Sequence, residues 1–239
     1  MEKNIPEKIR IAILENHQGI IDGYQFRLGN VPDIEIVATA SYGEELEPML
    51  AKAAANLLIL DVHVAASQEN PNPYPILHLI PRLLQAYPNL VIVVISMHTE
   101  RKLIEAVMEV GASGYILKDD QAAIRDLASV IHTIVNGGIY LSQLAYKQLE
   151  KSYTNKEQSL APRQLEALSL CAAFPDISTT ELASKLNIAN STMRNLLSGA
   201  YLKLNVRNRT SAIAKARQLG ILPPDSHPLR LVDIGGSGA

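Results

Sequence analysis

Apolar residues follow two alternating patterns along the first 140 positions. Short unbroken runs rich in Ile and Val predict strands that are buried on both faces. These runs are IRIAIL (9–14), IEIVATA (34–40), LLILD (57–61), VIVVIS (91–96) and YILK (115–118). Segments with helical spacing separate the runs, and another follows the last one. The alternation predicts an α/β fold with a doubly wound, five-stranded parallel sheet.

The pattern changes near residue 160, after which only helical spacing is found. The four segments are PRQLEALSLCAAF, STTELASKLNI, NSTMRNLLSGAYLKLNV and NRTSAIAKARQLG. Four short helices in a unit of this size predict a small all-α domain of the helix-turn-helix type. We therefore divide the chain into an α/β domain (1–138), a linker (139–159), a helical domain (160–222) and a tail (223–239) without an assigned role.

Charge separates the two parts further. Residues 1–155 carry a net charge of −6, whereas residues 156–222 carry +5. A basic helical unit favours a polyanionic partner such as nucleic acid. The single cysteine, Cys171, predicts a buried thiol without a disulfide, which fits a reducing compartment. No apolar run reaches membrane-spanning length, so we expect a soluble, cytoplasmic chain without membrane contact.

Chemically active side chains follow four of the predicted strands. Glu15 and Asn16 follow the first run, Asp61 ends the third, Ser96 the fourth and Lys118 the fifth. Because the carboxyl ends of parallel strands meet at one edge, these groups are expected to form one site. Asp61 would be the nucleophile towards a phosphoryl group, with Glu15, Asn16 and Asp61 offering oxygens to Mg²⁺. Lys118 and Ser96 would hold the phosphoryl oxygens.

The third helical segment of the basic part has the pattern of a helix that reads DNA. Its apolar positions recur at spacings of three and four and predict a buried face; they are Met193, Leu197, Ala200, Tyr201 and Leu204. Asn190 or Ser191 is expected to cap the helix. The opposite face would meet base edges through Ser191, Thr192, Arg194, Asn195 and Ser198. Lys203, Arg207 and Arg209 are expected to contact phosphates of double-stranded DNA.

Residues 8–137 resemble the receiver domain of bacterial two-component response regulators. The resemblance rests on ILENH, LLILD, VVIS and GASGYILKD. It implies a flavodoxin-like fold, a phosphoacceptor at Asp61, a phosphoryl-binding Lys118, and a histidine kinase as a partner. Ser96 and Tyr115 match the two switch positions, where phosphorylation moves the hydroxyl towards the phosphate and the aromatic ring inward.

Residues 160–220 resemble the LuxR-type helix-turn-helix domain, through LAPRQLEALSL, ISTTELASKLNIANSTMRNLL and LKLNVRNRTSAI. Together the two resemblances identify the chain as a member of the NarL/FixJ subfamily of response regulators. They imply a DNA-binding transcription regulator, rather than an enzyme, whose output is controlled through the receiver domain. Because the reading helix has few positive charges, we expect modest intrinsic affinity and a homodimer for tight binding.

Two departures leave alternatives open. The second position of the acidic pair is Asn16, and the stretch VHVAASQENPNPYP after Asp61 is long and lacks the usual Met-Pro. We therefore predict weak Mg²⁺ binding and keep as an alternative a degenerate receiver with phosphorylation-independent DNA binding, controlled by a partner or a ligand. A nucleotide-binding enzyme on the same fold is the third reading, but no strand is followed by a Gly-rich phosphate loop.

Overall fold

A parallel sheet of six strands organises the first part of the chain in the computed structural model, which describes residues 8–150 and 160–222. The strands are β1 (Ile9–Leu14), β2 (Ile34–Ala40), β3 (Leu57–Leu60), β4 (Val91–Ser96), β5 (Gly114–Leu117) and β6 (Tyr140–Leu141). Their order in the sheet is β2-β1-β3-β4-β5-β6, and every neighbouring pair is parallel. The predicted α/β fold is confirmed. The strand count is six rather than five, because β6 is too short to give an apolar run of its own.

Helices cover both faces of this sheet. They are α1 (Gln18–Leu28), α2 (Leu46–Ala53), α3 (Ile76–Ala86), α4 (Arg101–Glu109), α5 (Gln121–Arg125), α6 (Leu127–Val135) and α7 (Gln143–Glu150). Successive strand residues point to opposite faces. Thus Ile11 and Ile13 join the core under α1 and α6, whereas Ala12 and Leu14 join the core under α2, α3 and α4. Burial on both faces explains the unbroken apolar runs of β1, β3, β4 and β5. The prediction is wrong for β2, which is only partly buried because it lies at the edge of the sheet.

The first half of the predicted linker is part of the sheet domain. The Ser142 hydroxyl accepts a hydrogen bond from the Leu117 amide at 3.1 Å, and Asp120 accepts one from the Leu144 amide at 3.1 Å. These bonds fix β6 and the start of α7 beside the end of β5, and α7 packs against α4. Residues 151–159 of the linker and the tail 223–239 lie outside the described residues.

The long loop after β3 has an ordered path. Ala65 and Pro73 form an antiparallel bridge, and the Ala65 carbonyl accepts a hydrogen bond from the Gly43 amide at 2.9 Å. A β-carbon on Gly43 would overlap the Tyr74 side chain. The loop is therefore held against the short 3-10 helix 43–45 instead of extending over the strand ends.

Four helices form the second part of the chain, as predicted: α8 (Pro162–Ala173), α9 (Thr179–Lys185), α10 (Asn190–Leu204) and α11 (Arg209–Gln218). Ser178 caps α9 in a reciprocal arrangement with Glu181, whose carboxylate accepts from the Ser178 amide at 2.7 Å. The predicted cap of α10 is wrong by one or two positions. Ala189 is its N-cap without a side-chain bond, because the Asn190 amide donates to the Thr180 hydroxyl instead.

The two domains pack against each other. Helix α10 contacts α4, and one continuous apolar cluster extends from α3 and α4 into α8, α9 and α10. Cys171 is buried within this cluster, as predicted. None of the helices described is long and apolar enough to span a membrane.

Candidate functional site

Three charged side chains meet at the carboxyl ends of the central strands. Lys118 Nζ lies 2.6 Å from Glu15 Oε2 and 2.7 Å from Asp61 Oδ2. All three side chains are nearly inaccessible, with exposed fractions of 9% for Lys118, 2% for Glu15 and 6% for Asp61. The ammonium offsets one of the two negative charges, so the cluster keeps a net charge of −1. The structure therefore brings together three of the predicted site residues, namely Glu15, Asp61 and Lys118.

The remaining carboxylate oxygens are also partnered. Glu15 Oε1 accepts a hydrogen bond from the His17 amide at 3.0 Å, and Asp61 Oδ1 accepts one from the His63 amide at 3.2 Å. The side chain of Asn16, in contrast, is exposed and makes no hydrogen bond among the described residues. Both carboxylates are thus oriented by the protein itself.

This donor set fits a tightly bound Mg²⁺ poorly. Mg²⁺ favours near-octahedral coordination by anionic oxygens, and Asn16 can offer only a neutral one. No group of three His, Cys, Asp or Glu residues suited to a metal ion occurs in the part of the chain that the structure describes. Weak Mg²⁺ binding at this site stays a prediction.

Ser96 and Tyr115 occupy the core beside this cluster. Ser96 is the last residue of β4 and is fully buried, and its hydroxyl accepts a hydrogen bond from the His98 amide at 3.3 Å. The Tyr115 ring is also fully buried, and its hydroxyl donates to the His98 carbonyl at 2.8 Å. Burial raises the pKa of the Tyr115 phenol, so it remains a donor. The ring occupies the inward position.

Sequence reasoning missed three residues beside the site. The imidazole rings of His63 and His98 lie 5.4 Å apart between their centres. Tyr24, on α1, is buried so close to Glu15 and Asp61 that their charges add to the effect of burial in raising its pKa. Only the positions of His63 and His98, two residues beyond Asp61 and Ser96, could have suggested that they lie near the strand ends.

Helix α10 buries the predicted apolar face. Each of its five predicted core residues has an exposed fraction of at most 3%; they are Met193, Leu197, Ala200, Tyr201 and Leu204. On the predicted reading face, Thr192 is exposed, but Ser191, Arg194 and Ser198 are buried. The structure therefore covers much of the face that was expected to meet base edges.

Arg194 explains this burial. Its Nη2 donates to the backbone carbonyls of Leu90 at 2.8 Å and Pro88 at 3.2 Å, both in the sheet domain. Burial lowers the pKa of Arg194 to about 10. The next residue, Asn195, lies so close to Gly111 of the sheet domain that a β-carbon on Gly111 would overlap the Asn195 side chain. Two residues of the predicted reading face, Arg194 and Asn195, thus pack against the sheet domain.

The residues predicted to bind phosphate have different environments. The Arg207 guanidinium stacks on the Tyr146 ring of α7, 4.0 Å from its centre. Arg209 donates to the Ile177 carbonyl at 2.7 Å and to the Pro175 carbonyl at 3.3 Å, so it braces the connection between α8 and α9. Lys203 lies half-buried in the last turn of α10. Contacts of these residues with DNA stay predictions.

Comparison with protein families matches both parts of the chain. Residues 11–129 match the response regulator receiver domain, and residues 158–216 match the bacterial regulatory proteins of the luxR family. The matched regions contain the charged cluster at the strand ends and helices α8 to α10 with most of α11.

The chain also matches relatives along most of their length. The transcriptional regulatory protein DegU of Brevibacillus brevis is 25% identical over 89% of this chain and 94% of that protein. RcsB from Salmonella enterica serovar Typhimurium, solved bound to a promoter in the presence of phosphomimetic BeF₃⁻, has a TM-score of 0.54 at 22% identity. The match covers 89% of this chain and all of the RcsB chain. A structure of two RcsB dimers on two parallel DNAs has a TM-score of 0.53 at 23% identity over the same shares.

Proposed function

Because this chain belongs to the response regulators that join a receiver domain to a LuxR-type helix-turn-helix domain, we propose that the receiver domain controls DNA binding by covering helix α10. The protein is a transcription regulator that binds double-stranded DNA through α10. In the closed arrangement, with α10 packed on the receiver domain, the DNA-reading face is unavailable. Regulation is then a shift between closed and open arrangements.

The observation that carries this proposal is the position of Arg194. A guanidinium that reads guanine must offer two donors to a base edge. Here Nη2 is engaged by the carbonyls of Pro88 and Leu90, and the residue is 7% exposed. Arg194 cannot make both sets of contacts, so binding to DNA requires separation of α10 from the receiver domain.

We further propose that the open form acts as a homodimer. RcsB binds DNA as dimers. Two linked half-site contacts multiply affinity, which compensates for the few positive charges of α10. Release of α10 from the receiver domain would make both helices of such a dimer available at once. The protein regulates transcription in this proposal and has no enzymatic activity of its own.

Control by phosphorylation at Asp61, from a histidine kinase, is the first mode of release. Asp61, Lys118 and Ser96 support it, since nucleophile, cation and hydroxyl are all present at the strand ends. The second mode is release by a partner or ligand without phosphorylation. The neutral Asn16 favours this second mode, as does Tyr115, whose ring is already buried and whose hydroxyl donates to the His98 carbonyl.

The substitution Gly137→Ala tests the closed arrangement from the receiver side. Gly137 has a φ of +85°, and an added β-carbon would overlap the Thr179 hydroxyl of α9. Thr179 is short, β-branched and buried, so α9 would have to move away. A loss of 1–2 kcal/mol from the closed form corresponds to roughly 5–30-fold tighter binding of DNA. Fluorescence anisotropy with selected DNA at fixed salt measures it.

Gly220→Ala is the matched control. Gly220 has a φ of +70°, and an added β-carbon there would meet no atom within 4 Å. This variant introduces the same kind of backbone strain without pushing the domains apart, so its DNA affinity should equal that of the wild type. Thermal unfolding shows whether both variants fold. A folded Gly137→Ala variant with wild-type affinity for DNA contradicts the closed-arrangement proposal.

A further inference from the structure

A cavity of about 470 Å³ lies between the two domains. The receiver domain contributes residues from the end of α6 and from the starts of β3 and β4, and the helical domain contributes the starts of α9 and α10. The polar lining residues are Asn56, Asn89, Asn136, Ser178, Thr179, Thr180, Asn190 and Arg194. The volume is in the range of cavities that take small metabolites.

Arg194 is the charged residue of this lining. It is 93% buried, since only 7% of its surface remains exposed. No carboxylate of the described residues lies within ion-pair distance of its guanidinium, whose Nη2 is bound only to neutral carbonyls. Burial alone lowers its pKa to about 10, which leaves it protonated near neutral pH. A buried cation without an anion is costly, because proteins normally pair such charges.

The remaining lining suits an anion as well. No Asp or Glu lines the cavity, so no formal negative charge opposes an anion there. The side-chain amides of Asn89 and Asn136 and the hydroxyls of Thr179 and Thr180 also line the cavity, and among the described residues they donate no hydrogen bond, so they are available to an anion. Helix α10, fifteen residues long, starts at Asn190 in this lining without a side-chain cap, which adds the partial positive charge of its first turn.

We propose that this interdomain cavity binds a small oxyanion, a phosphate- or carboxylate-bearing metabolite, whose anionic group pairs with Arg194. Since the cavity exists only while α10 is packed on the receiver domain, the ligand binds the closed arrangement and opposes DNA binding. The binding site stands on the cavity alone, and its effect on DNA rests on the proposed function. A ligand that binds only the closed form weakens DNA binding about tenfold at roughly ten times its Kd.

Isothermal titration calorimetry on the full-length chain tests the site. Inorganic phosphate and malonate are titrated separately, with ionic strength held constant by chloride. We expect saturable binding at one site per chain by at least one of the two. Stronger binding of phosphate identifies a phosphorylated ligand, and stronger binding of malonate identifies a carboxylate ligand.

Asn89→Asp is the decisive variant. Asn89 lies between the two residues whose carbonyls accept from Arg194, so a carboxylate there supplies the missing counter-ion. Oxyanion affinity should fall at least tenfold. Asn70→Asp, in the loop after β3, is the control. It makes the same charge change outside the cavity and keeps the acceptor for the Asn72 amide, so it should bind the oxyanion like the wild type.

The outcomes separate this site from the proposed function. Failure of both oxyanions to bind beyond chloride, or equal affinity of Asn89→Asp and the wild type, overturns the site. Binding that Asn89→Asp abolishes supports the site even where DNA affinity does not respond to the oxyanion. That last result would count against the closed arrangement as the control of DNA binding, not against the cavity.

Discussion

The Arg207 guanidinium of the DNA-binding domain stacks on Tyr146, which belongs to the last described helix of the receiver domain. The pair is a second contact between the two domains, and it engages Arg207, which is predicted to bind DNA phosphates. Stacking of this kind contributes about 0.5–1 kcal/mol at partly exposed sites.

Tyr146→Ala should therefore have two effects: it should loosen the closed arrangement, and it should free Arg207 from the stacking contact. We expect DNA binding to tighten by roughly 2–5-fold, the equivalent of that stacking energy. Anisotropy titrations with fluorescent DNA measure the change. Phe174→Ala is the control, because Lys185 stacks on Phe174 at 4.1 Å within the DNA-binding domain. Equal responses of the two variants would show that stacking across the domains has no regulatory effect.

Arg194 is expected to read a base pair once α10 is released. In the Gly137→Ala background, Arg194→Ala should cost roughly 1–3 kcal/mol on the preferred site and relax preference at one base pair. Lys203→Ala should instead weaken binding to all sequences alike, as a phosphate contact does. Competition with a set of single-base variants of the site distinguishes the two patterns. Unchanged selectivity of the Arg194 variant would mean that another residue reads the base.

The pocket formed by Glu15, Asn16 and Asp61 predicts that Asn16→Asp binds Mg²⁺ more tightly than the wild type. Adding a carboxylate beside Glu15 and Asp61 should raise Mg²⁺ affinity at least tenfold, about 1.4 kcal/mol, because Mg²⁺ prefers anionic oxygens. Calorimetry measures the metal affinity, and intact-mass analysis follows phosphorylation at Asp61 by a small phosphodonor. Asp61→Asn in the Asn16→Asp background is the control that should accept no phosphoryl group. Equal metal binding and phosphorylation rates in the wild type and Asn16→Asp would refute the degenerate pocket.

Removal of the Tyr115 hydroxyl tests whether its hydrogen bond to the His98 carbonyl stabilises the folded protein. Tyr115→Phe keeps the buried ring but deletes the bond to the His98 carbonyl, so we expect a loss of about 0.5–1.5 kcal/mol in the free energy of unfolding. Urea unfolding measures it. Tyr87→Phe is the control. The Tyr87 hydroxyl makes no hydrogen bond among the described residues, so its removal should leave the free energy of unfolding unchanged within experimental error. A loss of the same size in both variants would mean that the bond contributes nothing.

Cys171 provides a test of packing in the DNA-binding domain. Burial raises the pKa of its thiol to about 11, so at pH 8 the native protein holds the unreactive, protonated form. A disulfide reagent at pH 8 should react slowly with the folded chain and at the rate of an ordinary thiol in denaturant. The rate in the folded chain should rise as pH approaches 11. Rapid native labelling at pH 8 would contradict a buried Cys171.

The sequence alone determined the parallel sheet and the helical domain. Runs such as IRIAIL and VIVVIS specify strands buried on both faces, and these faces must be covered by the intervening helices. The same rule placed Asp61 and Lys118 at one edge, since residues that end parallel strands meet there. Strand β6 escaped prediction because its two residues depend on pairing with β5 rather than on their own pattern.

Only the tertiary structure decided how α10 is used. The spacing of Met193 and Leu197 identified its buried face, but the sequence could not show that the opposite face is covered too. Arg194 donates to carbonyls of Pro88 and Leu90, more than a hundred residues earlier in the chain. Backbone carbonyls are present at every residue, so no side-chain pattern marks those that accept a hydrogen bond. The docking of one domain on another is fixed by this shape and geometry, which exist only in the folded chain.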